Sequence, residues 1–533
     1  MAKKKKTAQA STPSLEAILF NCRDYLRSNA SLNDKRDLLL TLVFLRFIGE
    51  KFEDEQQRLH QQCIDNGMTD EEKIKKEVLD QPNMYSGIAF VPAAARWGEL
   101  ILLPPTRLNA SLDDALNALE NSGETFKGCV RQGLFTSINL EANVIKKVMD
   151  EVHKISHKTF GTERDLIGRV YEYFLKSFAI NATKEEGEFY TPHDIVELIA
   201  AFVEPFDGTL YDPCCGSGGM FVQCAKYVEA KQGDIMQVNV YGQESDPATY
   251  RLAKMNLAMR GISHHLGERN ASTFTNDMHR GLTFDYIMAN PPFNLKNWYD
   301  VSLSHDARWA DYGLPPEGNA NYAWILHMLS KLRPERGVAG FLLANGALGD
   351  GDAASIRQKL IEADKVEAIV VLPRELFYMT DISVTLWILN QNKRGGRWHD
   401  RQLRSRQGEV LFMDLRSWTE NRVKGEQKKK VMFTEEQIQR AVAIYHGWQA
   451  EGTDGATYAE PELYRSVGID ELRANDFTLV PSRYIEFVDR DSHIDYQQVL
   501  SQTAQSVGTL LQRQEQNDKN LRTALQQLGY DCE

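Results

Sequence analysis

Cysteine and long hydrophobic runs are scarce in this sequence. Its seven cysteines are scattered over 533 residues, and none belongs to a paired C-x-x-C array of the kind that holds structural zinc. The longest apolar run, residues 38–45, is too short to cross a bilayer and is followed directly by Arg46. No apolar segment typical of a signal peptide follows the basic residues 3–6. We therefore expect a cytoplasmic protein that has no membrane partner and binds no metal.

A basic excess is also missing. Lysine and arginine number 62 against 74 aspartates and glutamates, which gives a net charge of -12. A protein that holds DNA alone usually carries a positive excess, because neutralising phosphates supplies much of the affinity. An acidic chain can still act on DNA when another subunit holds the duplex. The charge therefore bears on the choice of partners and does not exclude nucleic acid.

The hydrophobic pattern divides the chain into three predicted parts. Residues 1–160 show apolar positions at helical spacing and predict a helical N-terminal domain. In residues 161–485 short apolar strands alternate with helical stretches, which predicts an α/β, doubly wound, mainly parallel sheet with its core at about 205–395. Residues 486–533 predict a helical tail. The expected strands are 209–212, 238–242, 284–289, 337–344, 366–372 and 385–389, with one more possible at 409–414.

A glycine-rich turn separates the first strand from the helix after it. Asp212 ends the strand, and Gly216, Ser217, Gly218 and Gly219 lead into the helix. Glycines allow a sharp turn and close approach of a ligand, and amides at a helix start can bind a carboxylate. A plain tight turn or a dinucleotide site are the alternatives, although the G-x-G-x-x-G pattern is not matched. An amino-acid-like ligand fits best, with Asp212 accepting hydrogen bonds from its ammonium group.

Acidic residues follow the next two strand regions. Glu244 comes at the tip of the second strand, where a carboxylate can accept hydrogen bonds from ribose hydroxyls. Asp277 lies after the third strand region and could receive an adenine amine, with a turn or helix cap as the alternative. The pair His264–His265 has no further metal ligands nearby in the sequence, so we expect a surface turn there.

The stretch Asn290-Pro291-Pro292-Phe293 directly follows an apolar strand and predicts the chemistry. The exocyclic amine of a base is a poor nucleophile, because its lone pair is delocalised into the ring. Two acceptors, the Asn290 side-chain oxygen and the Pro291 carbonyl, can favour a pyramidal amine and free that lone pair. The prolines fix φ, and Phe293 offers a flat face for a flipped base. A proline-rich turn without function is the alternative, which the glycine turn upstream disfavours.

Together with residues 187–193, Gly-Glu-Phe-Tyr-Thr-Pro-His, these motifs resemble HsdM, the modification subunit of type I restriction-modification enzymes. The resemblance covers nearly the whole chain and implies a Rossmann-like S-adenosylmethionine-dependent methyltransferase acting on N6 of adenine in DNA. It implies a separate specificity subunit that reads the target, two modification subunits around it, and a restriction and translocase subunit that can join. It also implies cofactor binding by Glu188, Phe189, Tyr190, Thr191, Pro192 and His193.

Several alternatives remain open from the sequence. An Asn-Pro-Pro motif also suits methylation of a protein glutamine or of RNA, and N4-cytosine methylation of DNA is closer still. An inactive scaffold that only holds partners is the non-enzymatic alternative. In the tail, Leu500, Ala504, Val507 and Leu511 recur at a four-three spacing. This spacing predicts a partner-binding helix, or else a helix that packs on its own domain.

Overall fold

The computed structural model describes most of the chain in ten stretches. These are residues 14–27, 30–85, 88–138, 140–156, 191–231, 233, 237–377, 382–424, 429–488 and 496–527. Residues 165–180, whose apolar spacing predicts an amphipathic helix, lie outside them. The chain divides into two compact units, Met1–Tyr484 and Ile485–Glu533. No helix in the described stretches is long and apolar enough to span a membrane.

The N-terminal part is helical, as expected. Ser14 and Ser31 cap the first two helices, and each hydroxyl accepts a hydrogen bond from a backbone N–H one turn on. The apolar run 38–45 is buried along the second helix. The main helices are α1 (Leu15–Tyr25), α2 (Leu32–Asp65), α3 (Pro105–Glu120) and α4 (Ala142–Val152), with short helical turns at Glu71–Ile74, Trp97–Leu100 and Leu134–Ser137.

A ten-stranded mixed sheet forms the centre of the larger unit. Its spatial order is β13-β14-β10-β6-β7-β5-β4-β1-β2-β3, and β7 lies antiparallel between β5 and β6. Every residue of β4 to β7 is buried, so both faces of the sheet are covered there. The strands are β1 (Gly208–Asp212), β2 (Val238–Gly242), β3 (His264–His265), β4 (Tyr286–Ala289), β5 (Val338–Ala344), β6 (Val366–Val371), β7 (Val384–Asn390), β10 (Glu409–Asp414), β13 (Ala459–Glu460) and β14 (Tyr464–Gly468).

Helices connect and cover these strands, and two small hairpins flank them. Asp246 caps one helix by accepting from two backbone N–H groups, and Thr434 forms a capping box with Gln437 at another. The helices are α5 (His193–Val203), α6 (Gly219–Ala230), α7 (Pro247–Met259), α8 (Asn321–Lys331), α9 (Ala354–Glu362), α10 (Glu435–Gln449) and α11 (Ile469–Ala474). The hairpins pair β8 (Gly396–Trp398) with β9 (Arg401–Leu403) and β11 (Arg422–Lys424) with β12 (Lys429–Val431).

Helix α7 joins the N-terminal helices to the sheet. Its Met255 and Met259 are buried in the core of the N-terminal helices. Lys51 of α2 donates to the Met259 carbonyl at 3.1 Å, and Arg251 pairs with Asp37 at 3.3 Å. The helical region therefore packs directly on the helix that follows strand β2.

Two features differ from the sequence-based expectation. The surface turn expected at His264–His265 is wrong, because these residues form the edge strand β3, and His265 stacks on Tyr241 at 4.8 Å. The sheet also extends beyond the core expected at about 205–395, because the further strand allowed at 409–414 forms as β10 and pairs in parallel with β6 and antiparallel with β14. A buried ion pair between Arg406 and Glu367, at 2.9 Å, ties this extension to the rest.

The smaller unit contains one long helix, α12 (Tyr496–Gln527). Its Leu500, Val507, Leu511 and Leu521 are each 48% to 67% exposed. These four residues, called the tail apolar face below, leave considerable apolar surface open to solvent.

Candidate active site

The carboxyl ends of three adjacent parallel strands define the candidate site. The order β4-β1-β2 is set by the pairs Leu210↔Tyr286 and Asp212↔Gly242. Ligands of open α/β sheets bind at this edge, outside the strand ends. The glycine turn, Glu244 and Asn290 follow these three strands directly, so the fold brings the two predicted motifs to one place.

A small pocket lies where the glycine turn faces the end of β4. It is lined by Thr191, Asp212, Cys214, Cys215, Gly216, Ser217, Gly219, Met220 and Asn290. Gly216 and Gly218 have φ of +54° and +75°, a backbone conformation that side chains disfavour. A Cβ on Gly216 would meet no atom within 4 Å, so the turn leaves room for a ligand. Gly219 begins α6, and its position in the lining places the helix start at the pocket.

Asp212 supplies a buried carboxylate to this pocket. Burial raises its pKa to about 7, an effect that the hydrogen bond from the Cys214 N–H opposes and the neighbouring Glu244 carboxylate reinforces. That N–H donates to Asp212 Oδ1 at 3.0 Å. A buried carboxylate that receives only neutral donors from Cys214 is well suited to receive a cationic amine, which would restore its charged form.

Glu244 is attached to the glycine turn. Its Oε2 accepts from the Gly216 N–H at 3.0 Å, and its Oε1 accepts from the backbone N–H groups of Ser245 and Asp246. The carboxylate therefore braces the turn from the end of β2. Oε1 also accepts from the Ser245 hydroxyl at 3.3 Å, so a ligand hydroxyl would share this carboxylate with donors of the protein itself.

Asn290 is held in a defined orientation by Thr191. The Asn290 Nδ2 group donates to Thr191 Oγ1 at 2.9 Å. Its Oδ1 is buried and accepts no hydrogen bond from the described residues. Leaving such an acceptor unsatisfied costs about 1–3 kcal/mol, so its retention needs a functional reason. An amine donor placed in the pocket would satisfy it.

Phe293 packs against an aromatic side chain that the sequence did not indicate. The rings of Phe293 and Phe377 are 5.9 Å apart and nearly perpendicular. Phe377 is buried and lies shortly after β6. In the sequence, the position of Phe377 after a predicted strand is the one signal that places it near the site. Cys214, Cys215 and Met220 were equally missed as lining residues, although all three lie within or beside the glycine motif.

The remaining predicted site residues fall into three groups. Asp277 pairs with Lys331 at 2.5 Å and accepts from the His279 N–H, so its carboxylate anchors the segment after β3. Pro192 precedes α5, and the exposed His193 begins it; neither lines the pocket. Glu188, Phe189 and Tyr190 lie outside the described residues.

The donor set of the pocket suits an organic ligand. It offers a buried carboxylate, helix-start amides and a glycine surface, and also an amide oxygen that accepts from none of the residues described. Within the described stretches no group of three or more His, Cys, Asp or Glu residues could hold a metal ion. An amino-acid-like end would lie at the glycine turn, and a second molecule carrying an amine would meet Asn290.

Comparison with known proteins identifies the family. Residues 162–492 match the N-6 DNA methylase family, and residues 15–152 match the HsdM N-terminal domain. The chain belongs to the HsdM family of N-6 DNA methylases. The resemblance found in the sequence is thus confirmed, together with the enzyme class it implied, an adenine-specific DNA methyltransferase.

Relatives of this HsdM-family chain match it over most of their length. The HindI methylase subunit of Haemophilus influenzae is 36% identical over 472 residues, which cover 83% of this chain and 100% of the relative. The MjaIX methylase subunit of Methanocaldococcus jannaschii is 30% identical, with 97% and 92% covered. Both are type I restriction enzyme subunits.

A solved structure supports the fold class. The type I restriction-modification methyltransferase subunit from Streptococcus thermophilus superposes with a TM-score of 0.66 at 24% identity, covering 89% of this chain and 99% of that one. The predicted α/β fold with a helical N-terminal region and a helical tail is confirmed.

Proposed function

We propose that this chain is the modification subunit of a cytoplasmic type I restriction-modification enzyme, transferring a methyl group from S-adenosylmethionine to N6 of adenine in DNA. A separate specificity subunit reads the target, two modification subunits assemble with it, and a restriction and translocase subunit can join. The observation that carries the proposal is the buried Asn290 Oδ1, which lacks a donor among the described residues and belongs to a residue that lines the glycine-turn pocket.

The residues present fit the proposed cofactor. Asp212 would accept from its ammonium group, and amides at the start of α6 would bind its carboxylate. Glu244 would accept from the ribose hydroxyls. Asp277 and residues 188–193 are retained as proposed contacts. The cofactor, when bound, supplies an electrophilic methyl group.

The chain's own residues then prepare the target amine. Asn290 Oδ1 and the Pro291 carbonyl would accept its two N–H groups and leave the lone pair free. Thr191 keeps the Asn290 amide from rotating, because it holds Nδ2. Phe293, supported by Phe377, would stack on the flipped base. Alignment of the two reactants supplies most of the rate enhancement, and the proton lost by the amine passes to water.

The proposal is tested by incubating the assembled complex with labelled S-adenosylmethionine and unmethylated DNA, followed by nucleoside analysis. Label in N6-methyladenosine is expected. Label in N4-methylcytosine would correct the base, and label in protein or RNA without label in DNA would overturn the proposal. Failure of the complex to bind the cofactor in calorimetry would support an inactive scaffold instead.

Cofactor affinity is expected to fall as the pH drops through 7. In the free protein burial raises the pKa of Asp212 to about 7, and only the ionised carboxylate attracts the cofactor ammonium. Protonation therefore competes with binding below that pH, and Kd should be about tenfold weaker at pH 6 than at pH 7.5. Calorimetric titration across this range measures it. Asp212→Asn should bind weakly with a flat profile, and a flat wild-type profile would contradict the assignment.

Replacing Thr191 with Val is expected to lower kcat about fivefold. The variant keeps the side-chain shape but removes the acceptor for Asn290 Nδ2, and one such hydrogen bond contributes about 1 kcal/mol. Thr191→Ser retains the hydroxyl and serves as the matched control. Single-turnover methylation of DNA gives the rate. A loss of equal size in both variants would show that the methyl group of Thr191, and not its hydroxyl, matters.

A further inference from the structure

Arg308 lies in the segment 294–320, which joins Phe293 to α8, and all five of its N–H donors are used. Nε and Nη2 donate to the Asp306 carboxylate at 2.8 and 2.7 Å. The carbonyls of Thr273 and Phe274 accept at 3.1 and 2.6 Å. The fifth N–H donates from Nη1 to His327 Nδ1 at 3.0 Å. A guanidinium with five satisfied donors holds its neighbours in a fixed geometry.

Two of these contacts continue to the cofactor side of the pocket. Thr273 Oγ1 donates to the Pro213 carbonyl at 2.5 Å, and Pro213 begins the loop that contains the glycine turn. His327 Nδ1 must accept from Arg308, so the Nε2 proton is donated to Tyr211 Oη at 3.1 Å. Burial, with the charge of Arg308, lowers the pKa of His327 well below its usual value and keeps the ring neutral. Tyr211 directly precedes Asp212.

The same segment is tied to the catalytic motif at its ends. Asn294, the residue after Phe293, donates its backbone N–H to Asn321 Oδ1 at 3.1 Å, and Asn321 Nδ2 donates back to Asn294 Oδ1 at 2.9 Å. The Ala320 N–H donates to the Leu295 carbonyl at 3.0 Å. The segment is thus a closed loop that begins directly after Phe293. Arg308 attaches the middle of this loop to Thr273 and His327, which in turn contact Pro213 and Tyr211 beside Asp212.

We infer that Arg308 is a positioning residue that fixes the distance between the target amine at Asn290 and the methyl donor at the glycine turn. This inference rests on the proposed function. Within the described part of the chain, the hydrogen bonds of Arg308 go neither to Asn290 nor to the residues that line the pocket, so it acts through Thr273, His327 and the closed loop. Lysine cannot replace it, because an ammonium has three donors without the planar fork.

Arg308→Lys in the assembled complex is expected to lower the single-turnover rate of methyl transfer about thirtyfold, since small misplacement of aligned reactants is costly. The Kd for S-adenosylmethionine, the Kd for target DNA, and the fluorescence of 2-aminopurine at the target base should stay within about threefold of wild type. The exposed Arg269→Lys is the matched control and should leave all four quantities unchanged.

Thr273→Val is the second variant, because it removes one of the two routes with little change of volume. It should slow methyl transfer in the same selective way, by a smaller factor. Wild-type rates in both variants would overturn the inference, and so would a loss of cofactor binding in proportion to the loss of rate. Neither result affects the proposed function, provided that the wild-type complex still labels DNA. Absence of any methylation by the wild-type complex would overturn both.

Discussion

Asn290→Ala is expected to lower DNA methylation about a thousandfold while the Kd for S-adenosylmethionine changes less than about twofold. The side-chain oxygen is buried, accepts no hydrogen bond from the described residues and belongs to a pocket-lining residue, so we expect it to bind the target amine. Removing one preorganised polar group that acts on the reacting atoms costs about a hundredfold to a thousandfold in kcat. The upper end applies here, because alanine also removes the Nδ2 contact to Thr191.

The measurement combines single-turnover methylation with calorimetry of the cofactor. Asn239→Ala removes an exposed amide from β2 and is the matched control, which should retain the wild-type rate. Asn290→Asp keeps an acceptor but places a charge in the pocket, so partial activity is expected. Loss of cofactor binding in Asn290→Ala would mean that the motif is structural, and wild-type methylation would remove Asn290 from the mechanism.

Much of the fold could be predicted because the signals are local. The strands β2 and β10 begin and end at the residues expected from their apolar runs, and the other predicted strands differ by one or two residues at an end. Period and turn chemistry within a short window decide these elements. The position of Asn290 beside the glycine turn also followed, since parallel strands end at a common edge.

What could not be predicted depends on contacts between distant segments. Thr191 and Asn290 lie 99 positions apart, and no pattern within either motif shows that one side chain orients the other. Phe377 reaches Phe293 from the segment that follows β6, and Arg308 links segments that composition leaves unconnected. Asp277 is held by Lys331 of α8, a pairing that only the packing of α8 creates. Tertiary contacts of this kind decide the role of each residue, whereas the sequence predicts only which residues lie near the site.

Deleting residues 489–533 is expected to weaken assembly with the specificity subunit about a thousandfold, with cofactor binding retained. Four side chains of the tail apolar face are at least 48% exposed, and burying each contributes about 1.5 kcal/mol or more. Their sum is roughly 6 kcal/mol, and ordering costs reduce it to about 4 kcal/mol, which corresponds to a thousandfold in Kd. The glycine turn and Asn290 belong to the other compact unit, so calorimetry of the cofactor should be unaffected.

Point variants separate this apolar face from the helix as a whole. Leu500→Lys, Val507→Lys and Leu511→Lys together should reproduce the loss of assembly in sedimentation of the mixed subunits. Gln502→Lys, Thr509→Lys and Gln516→Lys place the same three charges on the opposite face of α12 and should leave assembly intact. Equal losses in the two triple variants would show that charge, not apolar contact, governs binding. Unchanged assembly after the deletion would discard the tail as a partner surface.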